Sequence, residues 1–395
     1  MSVPRLSLRP KRDRRVRSGH PWIFSNELEP GFVDLEPGAV VDVFDAKGAF
    51  VGRGLVSPQS LIAVRLYSRL RKEDLDSPAF YAMRIRESLN YRQAIFPDRR
   101  SYRLIHAEGD FLPGLVIDKF EDYLAVQITT VGMDKRTEIL KEALRSVLNP
   151  VGAVFRNESK VRELEGLTCG QSEWFGEIPD TVEIDEYGVS YKIPLLGGQK
   201  TGHFFDQAIN RKVAGEWCRD RTVLDVYANT GGWALQALKN GAKHATIIDK
   251  SAATAELSVD NVERNGFGER CDVVCAEATR TLEMLVAEGS RYGAVVLDPP
   301  AFAKNRKSAS AALKGYTRIN AMGMTLVEPG GFLFTSSCSY HVQEDRFLDA
   351  ISSAAKLADR RLRLVRRGEQ APDHPMLPAV PESRYLKSLA FQVLI

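Results

Sequence analysis

The chain has no apolar run approaching the roughly 18 residues that a membrane-crossing helix requires, so a membrane partner is not expected. It has too few cysteines for a disulfide scaffold: Cys169, Cys218, Cys271, Cys275 and Cys338, an odd number scattered over 395 residues. A reducing, cytoplasmic setting fits that usage. Cys271 and Cys275 do not form a C-x-x-C pair and no His/Cys cluster has zinc spacing, so no metal is expected. The G-x-G-x-x-G dinucleotide fingerprint is missing, as are internal repeats and low-complexity linkers. The N-terminus is basic but lacks the apolar segment of a signal peptide, and is read as part of the fold. Hydrophobic residues at 44% and charged residues at 27% are ordinary for a soluble globular protein, and the length suffices for two or three cores.

Net charge is only +3, but it is unevenly placed. Residues 1–20 carry Arg5, Arg9, Lys11, Arg12, Arg14, Arg15 and Arg17 against Asp13 alone. Further cations stand at Arg65, Arg69, Arg71 and Lys72, and at Lys304, Arg306 and Lys307. Such local patches suit a polyanion, although a solvated face would also account for them.

Residues 1–70 read as a small β-rich domain: two alternating strands joined at Asp45-Ala46-Lys47-Gly48, a third at "LIAVRLYS", and a short helix in the Arg-rich segment. Residues 75–195 read as a middle α+β domain. It opens on a helix capped by Ser77 with Pro78 in its first turn and Phe80, Met83, Ile85 and Leu89 on one face. From about 196 to 395, strands alternate with helices, the rhythm of a parallel α/β sheet. The C-terminal "YLKSLAFQVLI" is an apolar strand able to close one edge.

Ligands of such sheets bind beyond the carboxyl ends of the strands. The first strand, "TVLDVYANTGG", contains Asp225 and leads to a turn at Thr230-Gly231-Gly232. The second ends at Asp249, about 20 residues beyond that turn, where an acid suits ribose hydroxyls. The third leads to Glu277 and the fourth to Asp298. Helix capping explains one or two such acids; a whole set points to one ligand crevice.

This set of strand ends resembles a class I (Rossmann-like) S-adenosylmethionine-dependent methyltransferase. By that resemblance Asp225 and the Gly231 turn hold the amino-acid end of S-adenosyl-L-methionine, Asp249 the ribose, and Glu277 borders the adenine. In place of the usual D-x-G-x-G-x-G stands "DVYANTGG", which brings in Tyr227, Asn229 and Thr230.

"DPPAF", Asp298 to Phe302, resembles motif IV of enzymes that methylate an exocyclic amine, a reaction needing no cysteine. Yet the strand "GGFLFTSSCSYHV" puts Cys338 in the same crevice. A cysteine there suits pyrimidine C5 methylation, in which a thiolate adds to carbon 6 and makes carbon 5 nucleophilic. The structural alternative is a buried cysteine acting as a small hydrophobe.

"SSCSY" and "DPPAF" together resemble bacterial large-subunit ribosomal RNA 5-methylcytosine methyltransferases, which carry an N-terminal PUA domain. The resemblance spans the chain: "SLRPKRDRRVRSGHPWIFSNEL" (Ser7 to Leu28), "GQKTGHFFDQ" (Gly198 to Gln207) and "GYTRIN" (Gly315 to Asn320) all match. It implies an RNA (cytosine-C5-)-methyltransferase of ribosomal RNA with Cys338 and Asp298 catalytic. It adds Gln199, Thr201, Phe205, Asp206, Arg211 and Asp298 to the cofactor's surroundings. Pro299, Pro300 and Phe302 would meet the base, while Lys304, Arg306 and Lys307, with Arg12, Arg14 and Arg15, would meet RNA phosphates. A second C5 branch has a cysteine after the motif IV proline; here that residue is Ala301, so Cys338 has no rival. The family often dimerises, so a homodimer is one expected assembly. Two alternatives stay open: guanine N7 or N2 methylation, which leaves Cys338 idle, and a non-catalytic PUA-based RNA-binding module.

Overall fold

A computed structural model describes residues 3–170, 173–196, 202–303 and 305–395. The chain divides into two compact units. The first comprises residues 1–184, 193–203 and 372–383, and the second residues 185–192, 204–371 and 384–395.

The first unit holds two cores. One is a five-stranded sheet whose order is Arg5–Ser7, Val40–Phe44, Phe50–Val56, Ile62–Ser68 and Trp22–Phe24. Its hairpin turns where expected: Asp45 accepts hydrogen bonds from the backbone N–H groups of Lys47 and Ala49, both at 2.8 Å. The other core packs helices Pro78–Ile95 and Thr137–Leu148 on a five-stranded sheet over residues 102–176. Ser77 caps the first helix by accepting from the Ala79 N–H. The buried face of that helix differs from the expected one. Phe80, Tyr81 and Ile85 are buried, but Met83 is 37% exposed, and the inner position further along belongs to Arg92, fully buried. A paired arginine breaks the apolar period there.

The second unit is a seven-stranded sheet: β1 (Thr222–Val226), β2 (His244–Asp249), β3 (Cys271–Cys275), β4 (Tyr292–Leu297), β5 (Val327–Ser337), β6 (Arg361–Gly368) and β7 (Lys387–Leu394). Their spatial order is β3-β2-β1-β4-β5-β7-β6, with β1 to β5 parallel and β7 antiparallel to both neighbours. Connecting helices are α1 (Ala208–Glu216), α2 (Gly232–Lys239), α3 (Ala252–Arg264), α4 (Ala278–Ala287), α5 (Ala309–Leu326) and α6 (Glu344–Leu357). The expectation that the C-terminal strand closes an edge needs correction. β7 lies inside the sheet and β6, "RLRLVRRG", is the edge. Its alternating exposed arginines suit an edge that must not pair with another chain.

The order of strands reverses between β1 and β4, which makes the crevice at their carboxyl ends the switch point of the sheet. Beneath it Leu224, Val226, Val295, Leu297 and Leu333 are buried in one continuous core, so the strand tips project from a rigid base.

Candidate active site

The backbone at the β1 tip is tightly constrained. Tyr227, Asn229 and Gly231 have φ values of 63°, 52° and 80°. Left-handed non-glycine residues cost about 1 kcal/mol or more each and persist where surroundings over-determine them. Asp249 supplies part of that restraint. Its Oδ2 accepts from the Asn229 N–H at 3.0 Å, while Oδ1 accepts from the Ser251 N–H and Thr254 Oγ1, both at 3.0 Å. Ser258 Oγ, on α3, donates to the Asn229 carbonyl at 2.9 Å. A side chain at Gly231 would be strained at φ 80° and would come within 2.7 Å of Ile247, which favours glycine.

Asp225 is fully buried below this loop. Its Oδ2 accepts from the Ala234 N–H at 3.0 Å, and its Oδ1 has no hydrogen-bond partner among the described residues. Burial pushes its pKa up to about 7, with Asp298 and Asp249 adding to the rise. The buried carboxyl thus keeps spare acceptor capacity beneath a strained loop. Glu277 caps α4, accepting from the Arg280 N–H at 2.7 Å, and this and other backbone bonds lower its pKa. Tyr227 lies close enough to Glu277 and Thr279 for their fields to act on its hydroxyl.

Asp298 follows β4. Its Oδ1 accepts from Gln207 Nε2 at 3.0 Å and its Oδ2 from Trp233 Nε1 at 3.1 Å. Burial raises its pKa to about 6 despite both bonds. Gln207 also donates to Ser336 Oγ at 3.1 Å, linking the ends of β4 and β5. Cys338, two residues beyond, is half-buried and in no disulfide. The Cys338 turn is pinned on several sides. Ser339 Oγ accepts from the Ala303 N–H at 3.2 Å and lies 3.1 Å from the Tyr316 hydroxyl, while the Ser339 carbonyl accepts from Lys387 Nζ at 2.7 Å.

Phe302 packs on Tyr316 with ring centroids 4.7 Å apart. The "GYTRIN" glycine makes room for it, since a Cβ on Gly315 would meet the Phe302 ring at 3.1 Å. Pro299 is buried and Pro300 exposed. Asp206 accepts from the Tyr385 hydroxyl at 2.6 Å, and Phe205 is 1% exposed. Arg211 is buried against Glu186 through bonds of 2.8 and 2.7 Å. Gln199, Thr201, Lys304 and the Arg306 side chain lie outside the described residues; Lys307 is exposed.

Gln207, Trp233, Tyr385 and Lys387 were not anticipated as site residues. Gln207 had a signal, since it ends the quoted "GQKTGHFFDQ"; the other three act through partners at least 48 positions away.

The N-terminal arginines are less available than their number suggests. Arg15 pairs with Glu27 at 3.1 Å and lies over the Phe24 ring, Arg17 pairs with Asp13 and Asp45, and Arg9 donates to the Leu28 carbonyl. Arg65 pairs with Glu165, Arg69 donates to the Val16 and Val51 carbonyls, and Arg71 pairs with Asp42. Lys11, Arg12 and Arg14 remain exposed. A groove of about 710 Å³ lies between α5 and α6, lined by Leu313, Lys314, Met322 and Leu357. It contains none of the strand-end residues. No helix among the described residues is long and apolar enough to cross a membrane.

The model of S-adenosylmethionine-dependent methyltransferases matches residues 102–392, and that of the PUA-like domain residues 6–69. Similar curated proteins include ribosomal RNA large subunit methyltransferase I of Pseudoalteromonas atlantica, 34% identical over 99% of each chain. The protein of that name from Vibrio cholerae is 35% identical over 99% of this chain and 100% of its own. Among solved structures, a methyltransferase complexed with SAH superposes with a TM-score of 0.84 at 20% identity, covering 99% of this chain and 100% of the other. An S-adenosylmethionine-dependent methyltransferase from Streptococcus mutans gives 0.83 at 19% identity, over the same 99% and 100%. At these identities the two structures show a shared fold.

Proposed function

Because the chain belongs to the S-adenosylmethionine-dependent methyltransferase family and carries a PUA-like domain, we propose that it methylates carbon 5 of a cytosine in large-subunit ribosomal RNA. The RNA class follows from the names of its full-length relatives. The supporting observation for C5 chemistry is the Gln207 bridge between Asp298 and Ser336, which ties the β4 tip to the strand end that carries Cys338.

S-adenosylmethionine supplies an electrophilic methyl group when bound, held by Asp225, the Gly231 turn, Asp249 and Glu277. The Cys338 thiolate adds to carbon 6 of the cytosine. The electron pair displaced from the 5,6 double bond makes carbon 5 enamine-like, and carbon 5 would take the methyl as the methyl–sulfur bond of the cofactor breaks and S-adenosylhomocysteine leaves. A base then removes the proton from carbon 5, the double bond re-forms, and the thiolate leaves. Asp298 assists because a carboxyl with a pKa near 6 can share a proton with N3 and accept from the exocyclic amine. Phe302 borders the base. Lys304, Arg306 and Lys307 grip flanking phosphates, and Arg12 and Arg14 add affinity from the N-terminal domain. The target must be unpaired or flipped out.

Replacing Cys338 with alanine tests this reading. Cys338→Ala should abolish methylation and leave both ligand affinities near normal. RNA with 5-fluorocytosine at the target should trap the wild type covalently, because fluorine cannot leave as a proton, and should not trap the variant. An active Cys338→Ala enzyme would instead favour methylation of an amino nitrogen or of guanine, to which the "DPPAF" motif is also suited.

A further inference from the structure

Lys387 opens β7 and pairs in register with Ser337, the last residue of β5. Its side chain, 6% exposed, does not turn outward to water. The Nζ donates to the carbonyl of Ser339 at 2.7 Å and to that of Tyr385 at 2.8 Å. The first of these acceptors is the residue immediately after Cys338, so the ammonium is tied to the turn that carries the sulfur. No carboxylate forms an ion pair with Lys387 among the described residues. A buried cation without a carboxylate is costly unless it serves another group.

We propose that Lys387 is a positioning residue that holds the Cys338 turn and keeps its sulfur in the thiolate form. This rests on the C5 reading for its purpose, but not for its test. The charged and titratable groups acting on Lys387 are Cys338, Arg384 and Glu344, and Tyr316 faces Cys338 from α5. Cys338 is the leading one after burial itself, which lowers the Lys387 pKa to about 8. Lys387 is therefore largely protonated at neutral pH, and a positive charge tied to the turn that carries a thiol lowers that thiol's pKa. As pH rises through about 8 the ammonium is lost, and with it the aid to the thiolate.

The experiment is iodoacetamide alkylation of the full-length protein across a pH series, with modification at Cys338 read by peptide mass spectrometry. Lys387→Gln keeps a donor for the two carbonyls and removes the charge. Its alkylation midpoint at Cys338 should rise by about one pH unit, equivalent to about tenfold less thiolate at neutral pH. Exposed Cys169 and Cys275 serve as internal controls whose midpoints should not move. Lys387→Arg should keep the wild-type midpoint. An unchanged midpoint in a Lys387→Gln protein that still binds S-adenosylhomocysteine overturns the proposal. If Lys387→Gln does not fold, Lys387→Arg carries the test, and a raised midpoint there overturns it. Failure of the C5 reading would register differently, as an active Cys338→Ala enzyme without fluorocytosine trapping, whatever the alkylation midpoint.

Discussion

Asp110 and Asp118 in the first unit are buried, as is Asp225 in the second, with Asp298 part-buried beside it, yet the two pairs are handled in opposite ways. Arg92, fully buried, clamps Asp110 and also donates to the carbonyls of Arg103 and Asp373. Arg103 reaches Asp118 through bonds of 2.5 and 3.0 Å. Each negative charge there meets a guanidinium fork. Among the described residues Asp225 and Asp298 form no ion pair; they accept from a backbone amide, an indole and a glutamine amide. Paired charges hold a structure together, whereas unpaired carboxyls with raised pKa values mark a place where a ligand completes the arrangement.

Breaking the paired set should have the largest effect on stability. Arg92→Met leaves Asp110 buried without its cation, which should cost about 3–5 kcal/mol. Denaturant unfolding would measure this, while the folded fraction should bind cofactor normally. Equal stability of variant and wild type would show that the Arg92–Asp110 pair does not hold the first unit together.

A smaller effect is expected at the ligand end. Asp249→Ala should raise the S-adenosylmethionine dissociation constant about tenfold or more, since hydrogen bonds to a charged group are worth roughly 1.5–3 kcal/mol each. Calorimetry reads it directly, and normal affinity in a folded variant would remove Asp249 from the site.

The subtlest test concerns pH. Asp225 has a folded pKa of about 7 against an ordinary 3.8. Between those values the folded protein holds a proton that the unfolded chain has released, so stability of the ligand-free protein should fall as pH rises through that window. The slope from one group is at most about 1.4 kcal/mol per pH unit. Asp225→Asn should flatten it; the same slope in wild type and variant would show that Asp225 does not titrate there.

The strand-end acids and the α/β rhythm were readable because both are local. Hydrophobic periodicity writes each strand and helix into its own few residues, and a strand's tip is simply where its apolar run stops. The β6 edge was not readable this way, because "RLRLVRRG" alternates arginine with leucine on a strand that the chain visits before β7. Arg92 likewise reads as a solvent-facing residue until Asp110, 18 positions on, is brought against it.

By itself, then, the sequence determined the fold class, the acids at the strand ends and a cysteine just beyond β5, since these depend on local spacing. Only the tertiary structure decided which arginines are spent on Glu27, Glu165 and Asp42, and that Trp233 and Gln207 converge on Asp298. It also set Lys387 against the Cys338 turn. Burial and pairing are properties of the partners that packing supplies, and those partners lie tens of residues apart in the chain.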